Sequence, residues 1–386
     1  MPVTRPSPDA LVVGAGVVGL AVAHALAEAG LRVTLLERGD LAAEASRACN
    51  GTLLLQTKAP GPHLQFARRS LQLYRELPAR LEADIGLRDC PGLSVGEEPA
   101  RRELLGRAQQ LGAAGVPVEW HEGDLRALER WLSPRLCCGL VCPQEAQVDP
   151  WRLCLALAEA FRRAGGQLRL HEPATALLTS GSRVIGLRTA AGELRAPHTI
   201  LAAGLACREL LRPLGLTLPL TPVRGQVLVT EPLAPALAHS VLAASYVESK
   251  WGGEGDGDRI ALVVEQTVDG NLLIGSSREA GREGRETAVP QLSAIARCAR
   301  DYLPPLSAVK VIRSFAGLRP TSPDGLPWIG PAPGWQGLTL ACGHGGDGLS
   351  LAPATAEVVR DQLAGGPTHW PAALSPIERW RPAGVE

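Results

Sequence analysis

The chain has no excess of either charge: lysine plus arginine number 39, and so do aspartate plus glutamate. Without a net field, nucleic acid and anionic membrane surfaces are excluded as partners recruited by charge, which leaves a small molecule or a protein. A cysteine framework is lacking too. Nine cysteines, an odd number, are scattered without regular spacing, unlike a secreted disulfide scaffold, and a reducing cytoplasm is expected. The cluster Cys137, Cys138 and Cys142 has no fourth ligand at finger-like spacing, so no metal is expected and these read as buried or half-buried thiols. Only residues 10–30, "ALVVGAGVVGLAVAHALAEAG", imitate a membrane span, and His24, Glu28 and the internal glycines argue against one. Neither an internal repeat nor a low-complexity tract is present.

At 386 residues the chain exceeds the size at which a single core stops growing, so two lobes are expected. Its opening reads as a strand at 10–14, a glycine turn, a helix at 17–29 stopped by Gly30, and a second strand at 32–37. Helical patterns recur at 63–85, 101–114 and 149–164, the last with Asp149 as cap and Pro150 in the first turn. From 167 short strands take over, with turns at Ser180-Gly181 and Ala191-Gly192. Strand-like runs fill 217–276, broken by the polar loop "GGEGDGDR" at 252–259, and a final helix runs from 349 to about 363.

Gly14, Gly16 and Gly19 form G-x-G-x-x-G between a strand and a helix. The first glycine permits the tight turn, the second lets a pyrophosphate approach the backbone, and the third lets helix pack on strand. Phosphate charge then meets the unpaired N–H groups at the helix start. Glu37 closes the second strand where an acid takes ribose hydroxyls, which favours FAD or NAD over NADP without separating the first two.

Four later features each allow two readings. "FAGLRPTSPDG" at 315–325 contains Arg319, either a surface arginine bracing the turn or a planar fork placed for a carboxylate. Asn50-Gly51 is a turn or a lining of the site. The glycine run 343–348 ahead of a helix is a tight connection or a cradle of N–H groups for an anion. Glu265 and Gln266 face a pocket or lie on a solvated strand face.

The order of "SRACNGTL" at 46–53, "EPATAL" at 172–177, "ILAAG" at 200–204, "TPVRGQVLVTE" at 221–231, "NLLIGSS" at 271–277, "GLRPTSPDGLPWIG" at 317–330 and "GHGGDGLSLAPATAE" at 343–357 resembles the D-amino acid oxidase superfamily. It is similar to glycine oxidase, sarcosine oxidase beta subunits, the hydrogen cyanide synthase flavoprotein subunit, and opine and D-hydroxyproline dehydrogenase subunits. The resemblance implies an α/β fold: a Rossmann-like FAD-binding lobe of the glutathione reductase type 2 kind (1–85, 145–215 and 325–386) and a mostly antiparallel substrate-binding lobe (86–144 and 216–324). It implies FAD held by Gly14, Ala15, Gly16, Val18, Gly19, Glu37 and Arg38. Ser46, Arg47, Asn50 and Gly51 would run along the flavin. Ala174 would meet adenine through its backbone, and Ala203 and Gly204 would approach the cofactor closely. Gly345, Gly346, Asp347, Gly348 and Leu349 would lie where a reduced flavin gathers negative charge.

By the same likeness Arg319 grips a substrate carboxylate and holds Cα–H toward flavin N5, and Tyr246 reaches the substrate or is a half-buried structural tyrosine. His344 is read as a structural donor, because hydride transfer from a neutral amine needs no protein base. The implied reaction is oxidation of an amino acid or secondary amino acid (D-hydroxyproline, opine, glycine or sarcosine type) to an imine. "GGDGLSLAP" looks like the segment of multisubunit dehydrogenases, implying electron-accepting partner subunits with an iron-sulfur centre; no ferredoxin-type cysteine run lies in this chain, so a cluster would be the partner's. Alternatives are a stand-alone oxidase making hydrogen peroxide, a hydrogen cyanide synthase-type subunit oxidising glycine, and a non-catalytic flavoprotein subunit.

Overall fold

The computed structural model describes residues 7–246, 258–366 and 370–379. Strand Ala10–Val13 is buried along its whole length because both faces are covered: Ala10 and Val12 join one hydrophobic cluster, Leu11 and Val13 another. It pairs in parallel with Val33–Leu36 and with His198–Leu201. The six-stranded sheet continues from Val33–Leu36 to Gln167–Arg169, and from His198–Leu201 through Leu338–Cys342 to the antiparallel Trp328–Pro331. Helices Val17–Glu28, Pro62–Leu81, Pro150–Arg163 and Gly348–Ala364 supply the first cluster. An antiparallel meander, Ala176–Ser180, Arg183–Thr189 and Gly192–Arg195, supplies the second together with the short helix Cys207–Leu211.

Burial explains the long apolar run near the start. Helix Val17–Glu28 packs against Pro150–Arg163 and Gly348–Ala364 as well as the sheet, so it is apolar all round. No helix among the described residues is long and apolar enough to cross a membrane. Helix Pro150–Arg163 starts as its sequence predicts, with Asp149 Oδ1 accepting from the N–H groups of Trp151 and Arg152 at 2.8 and 2.9 Å. Pro62–Leu81 stops short of residue 85 because Glu82 turns left-handed, at φ 50°.

The second sheet has eight strands, in the order Val311–Thr321, Thr221–Pro232, Asn271–Ala280, Arg259–Gln266, Ser240–Ala243, Gly92–Gly96, Cys138–Cys142 and Glu119–Glu122. Only the Ser240–Ala243 and Gly92–Gly96 pair is parallel. The α/β architecture with a mostly antiparallel second sheet is therefore the one expected. Helix Val289–Tyr302, which the sequence reading does not name, buries Ile295 and Ala299 against this sheet. Residues 252–257 of the expected polar loop lie outside the described residues. All nine cysteines are free thiols; Cys138 and Cys142 are buried in their strand and Cys137 is half-buried.

Candidate active site

A cavity of about 560 Å³ reaches from the glycine turn at Gly14 to Arg319. Its early wall is mostly backbone. Gly14 adopts φ 105°, and a Cβ there would come within 2.7 Å of the Ala202 carbonyl oxygen. At Gly19 a Cβ would fall 1.8 Å from Gly14 O, so only glycine lets the helix lie on the turn. Val17, the first helical residue, donates its N–H to Ser46 Oγ at 2.9 Å. Glu37 is fixed beside the turn, accepting from Ala15 N–H at 2.8 Å and Gly39 N–H at 2.9 Å.

The late wall begins where Leu338–Cys342 ends. Gly343 and Gly345 take φ 76° and 56°, and helix Gly348–Ala364 starts without a side-chain cap, leaving its first N–H groups for the cavity. Asp347, in this run, accepts from Lys58 Nζ at 2.6 Å, and His63 Nε2 lies 3.3 Å from its other oxygen. Both Lys58 and Asp347 line the cavity wall, yet each is almost wholly buried. His344 Nε2 lies 3.0 Å from Thr355 Oγ1, whose own proton goes to Leu351 O at 2.9 Å. Nε2 therefore carries the hydrogen and donates, and burial holds the imidazole down to about 4, neutral at physiological pH. His344 is thus a structural donor.

Arg319 lies near the end of strand Val311–Thr321, and a bridge between Thr321 and His344 pins that end to the glycine run. Its Nη2 donates to Ser276 Oγ at 2.7 Å and its Nη1 to Ser277 O at 3.2 Å. Two glycines make room for it. A Cβ on Gly225 would fall 2.2 Å from Nη2, and one on Gly346 would lie 3.3 Å from Cδ. No carboxylate pairs with it among the described residues. Burial, then the nearby Arg278, lowers it to about 10, so it stays charged at neutral pH. The turn after it is braced by a different arginine: Arg379 donates to both oxygens of Asp324, at 2.6 and 3.0 Å.

Most of the expected site residues meet at this one cavity. Gly14, Gly16, Val18, Glu37, Arg38 and Ser46 line it, as do Asn50, Ala174, Ala203 and Gly204. Gly345, Gly346, Asp347, Gly348 and Leu349 line it with Arg319 and Tyr246. Tyr246 is half-buried and packs with Leu54, Leu242 and Val263. Four do not line it. Ala15 and Gly19 act behind the turn, as described. Arg47 places its guanidinium over the Trp151 ring, 5.3 Å from the centroid. Gly51 is held by strand packing, since a Cβ would meet Val148 O at 2.1 Å, and its N–H donates to Glu265 Oε1 at 2.8 Å.

Glu265 and Gln266 fit neither of the readings open to them: both are buried, and neither lines the cavity. Gln266 instead ties down the chain at 233–237, accepting from Ala236 N–H at 2.8 Å. The sequence reading missed Lys58, Ser276 and Arg278, which also line the cavity. Lys58 gives no local signal because its partner is 289 residues away.

The family profile described as FAD dependent oxidoreductase matches residues 9–362. The chain belongs to this family. Glycine oxidase of Pseudomonas aeruginosa is 34% identical over 380 residues, covering 96% of this chain and 98% of that protein. One of the opine oxidase subunits of Agrobacterium tumefaciens is 27% identical, over 93% of this chain and 94% of that one. The crystal structure of glycine oxidase from Geobacillus kaustophilus superposes with a TM-score of 0.86 at 27% identity, covering 96% and 98% of the two chains. The protein is an FAD-dependent oxidoreductase of glycine oxidase type. The cavity fits that cofactor: a glycine turn too tight for any side chain, an anchored acid at the end of the second strand, and two helix starts on one cavity, that of Gly348–Ala364 without a side-chain cap.

Proposed function

We propose that this chain oxidises an amino acid or secondary amino acid at its Cα–N bond, with Arg319 holding the substrate carboxylate. The observation that carries the reading is a charged, half-buried guanidinium facing the cavity with no carboxylate partner among the described residues, tied by strand register to the glycine run. Gly14, Gly16, Ser46 and Glu37 would hold the pyrophosphate and ribose, and Val18, Arg38, Ala174, Ala203 and Gly204 the adenosine end. Asn50 and residues 345–349 would hold the ring. Bound there, FAD supplies a two-electron acceptor, so that an amine losing its Cα hydrogen with the bonding pair, and one proton from nitrogen, becomes an imine that water hydrolyses.

The protein's share is orientation and exclusion. Ser276 and the Ser277 carbonyl fix the guanidinium plane, so the carboxylate meets a prearranged fork instead of a mobile side chain. Tyr246 closes the cavity beside Leu54 and Val263. His344, neutral and committed to Thr355, takes no proton from the substrate. The two sheets are, in this reading, the cores of a cofactor lobe (1–85, 145–215, 325–386) and a substrate lobe (86–144, 216–324).

Arg319→Ala tests the assignment. Loss of a charge-assisted pair raises KM for the amino acid about 100-fold while the protein stays yellow; unchanged kinetics overturn the role. The electron acceptor is a separate matter. Segment 345–353 and the likeness to the opine oxidase subunit favour a catalytic beta-type subunit that passes electrons to a partner carrying an iron-sulfur centre, in the cytoplasm, where free thiols persist. The purified holoprotein should then reduce an artificial dye with little peroxide; rapid peroxide formation by the isolated chain makes it a stand-alone oxidase instead.

A further inference from the structure

Arg319 accounts for one carboxylate, and a second guanidinium lines the same cavity. On strand Asn271–Ala280, Ser276 and Arg278 line the cavity while Ser277 and Glu279 turn to the opposite side. Glu279, the carboxylate nearest Arg278 along the chain, is fully engaged there. It accepts from Arg224 Nη2 at 2.5 Å, from Ser277 Oγ at 2.5 Å and from Gln226 Nε2 at 2.8 Å. Across the sheet, the register partner of Arg278 is another arginine, Arg259.

The carboxylates on the cavity wall are also committed. Glu37 accepts from two backbone N–H groups, Glu44 pairs with Arg38 and Arg285, Glu209 lies beside Arg208, and Asp347 pairs with Lys58. Among the described residues none pairs with Arg278, which is half-buried and close enough to Arg319 for the two charges to repel. Two like charges at one cavity, neither paired with a carboxylate among the described residues, are unfavourable until a ligand brings anionic groups to both.

Resting on the reading that Arg319 holds an amino acid carboxylate, we propose that the substrate is an amine bearing two carboxylates, the second bound by Arg278. The second carboxylate is carried either on the nitrogen substituent or on the side chain, and both place an anion a few bonds from the first. A guanidinium is suited to this task because it stays charged and presents a planar fork. Discrimination follows from what a single-carboxylate amine leaves behind: Arg278 then has no carboxylate partner among the described residues, which penalises the smaller substrate relative to the larger one.

The test uses the FAD-loaded full chain under anaerobic conditions, following flavin bleaching. Iminodiacetate is compared with sarcosine, and both enantiomers of aspartate and glutamate with those of alanine and norvaline; which pair responds tells whether nitrogen or side chain carries the second acid. For at least one pair, kcat/KM for the dicarboxylate should exceed that of its partner by about 10- to 100-fold. Arg278→Met should shrink that ratio by the same factor, and Arg278→Lys should retain part of it. Malonate and succinate, which are not oxidised, should perturb the flavin spectrum at concentrations about tenfold lower than acetate and propionate do, and Arg278→Met should erase the difference. Equal use of mono- and dicarboxylates, or an Arg278→Met effect equal on both, overturns this proposal and leaves amino acid oxidation standing. Bleaching by none of these amines overturns both. Retained flavin absorbance in each variant shows that it has folded.

Discussion

Around Gly14 the cavity wall is backbone, whereas around Arg319 it is side chain, and the two walls are built under different rules. At Gly14 the work is done by removing atoms: φ 105° and the 2.7 Å approach to Ala202 O leave no volume for a Cβ, so the backbone itself faces the cavity there. At Arg319 a long side chain is steadied by two acceptors, and glycines on two other segments, Gly225 and Gly346, clear the space it occupies. In the proposed function the first wall receives the phosphates of the cofactor. The second would select, because a fixed fork distinguishes a carboxylate in the right place from one displaced by an ångström.

The strongest way to break this comparison is at the first wall. Gly14→Val adds both left-handed strain and a collision with Ala202, together about 3 kcal/mol, or over 100-fold in cofactor affinity. The purified variant should be colourless, whereas Arg319→Ala remains yellow. A Gly14→Val protein with full flavin absorbance, or an Arg319→Ala protein without any, removes the division of labour between the walls. Gly225→Ala sharpens the same point from the other side. Its methyl displaces the guanidinium without touching its charge, so kcat/KM should fall about 10- to 100-fold with FAD still bound. An effect within twofold means that the arginine's position carries no weight.

The contrast also explains what the sequence made legible. The glycine fingerprint, Glu37 and the capped helix at Asp149 are local patterns, each read from a few neighbouring residues, and each stands where it was expected. Arg319 has no such pattern; resemblance alone singled it out from a surface arginine, and the brace of the turn proved to be Arg379, 55 residues downstream of Asp324. Lys58, Arg278 and the roles of Gly225 and Gly346 were illegible because each depends on a contact between distant segments. Arg278 required knowing which face of its strand meets the cavity. Arg47 and Gly51 were assigned to the flavin by their place in a motif, and packing decided otherwise: Trp151 draws one aside and Val148 confines the other.

Glu265 gives the smallest test, at the seam between the two walls. It stands on the eight-stranded sheet yet holds Gly51 N–H, next to Asn50 on the cavity wall. Burial raises its carboxyl from 4.5 to about 7. Between those values the folded chain keeps a proton that the unfolded chain has released, so this group's contribution to stability falls as pH rises from about 4.5 to about 7, and above that the cost of burying the charge is complete. Glu265→Gln keeps an oxygen acceptor for Gly51 and never ionises. Relative to the unmodified chain it should gain about 1–3 kcal/mol between pH 5 and pH 8, read as a difference in denaturant midpoints at each pH. Taking the difference between the two proteins cancels every other titrating group they share. A gap that does not change with pH means that the carboxyl is not held protonated by its surroundings, and that the seam near Asn50 is fixed by strand pairing alone.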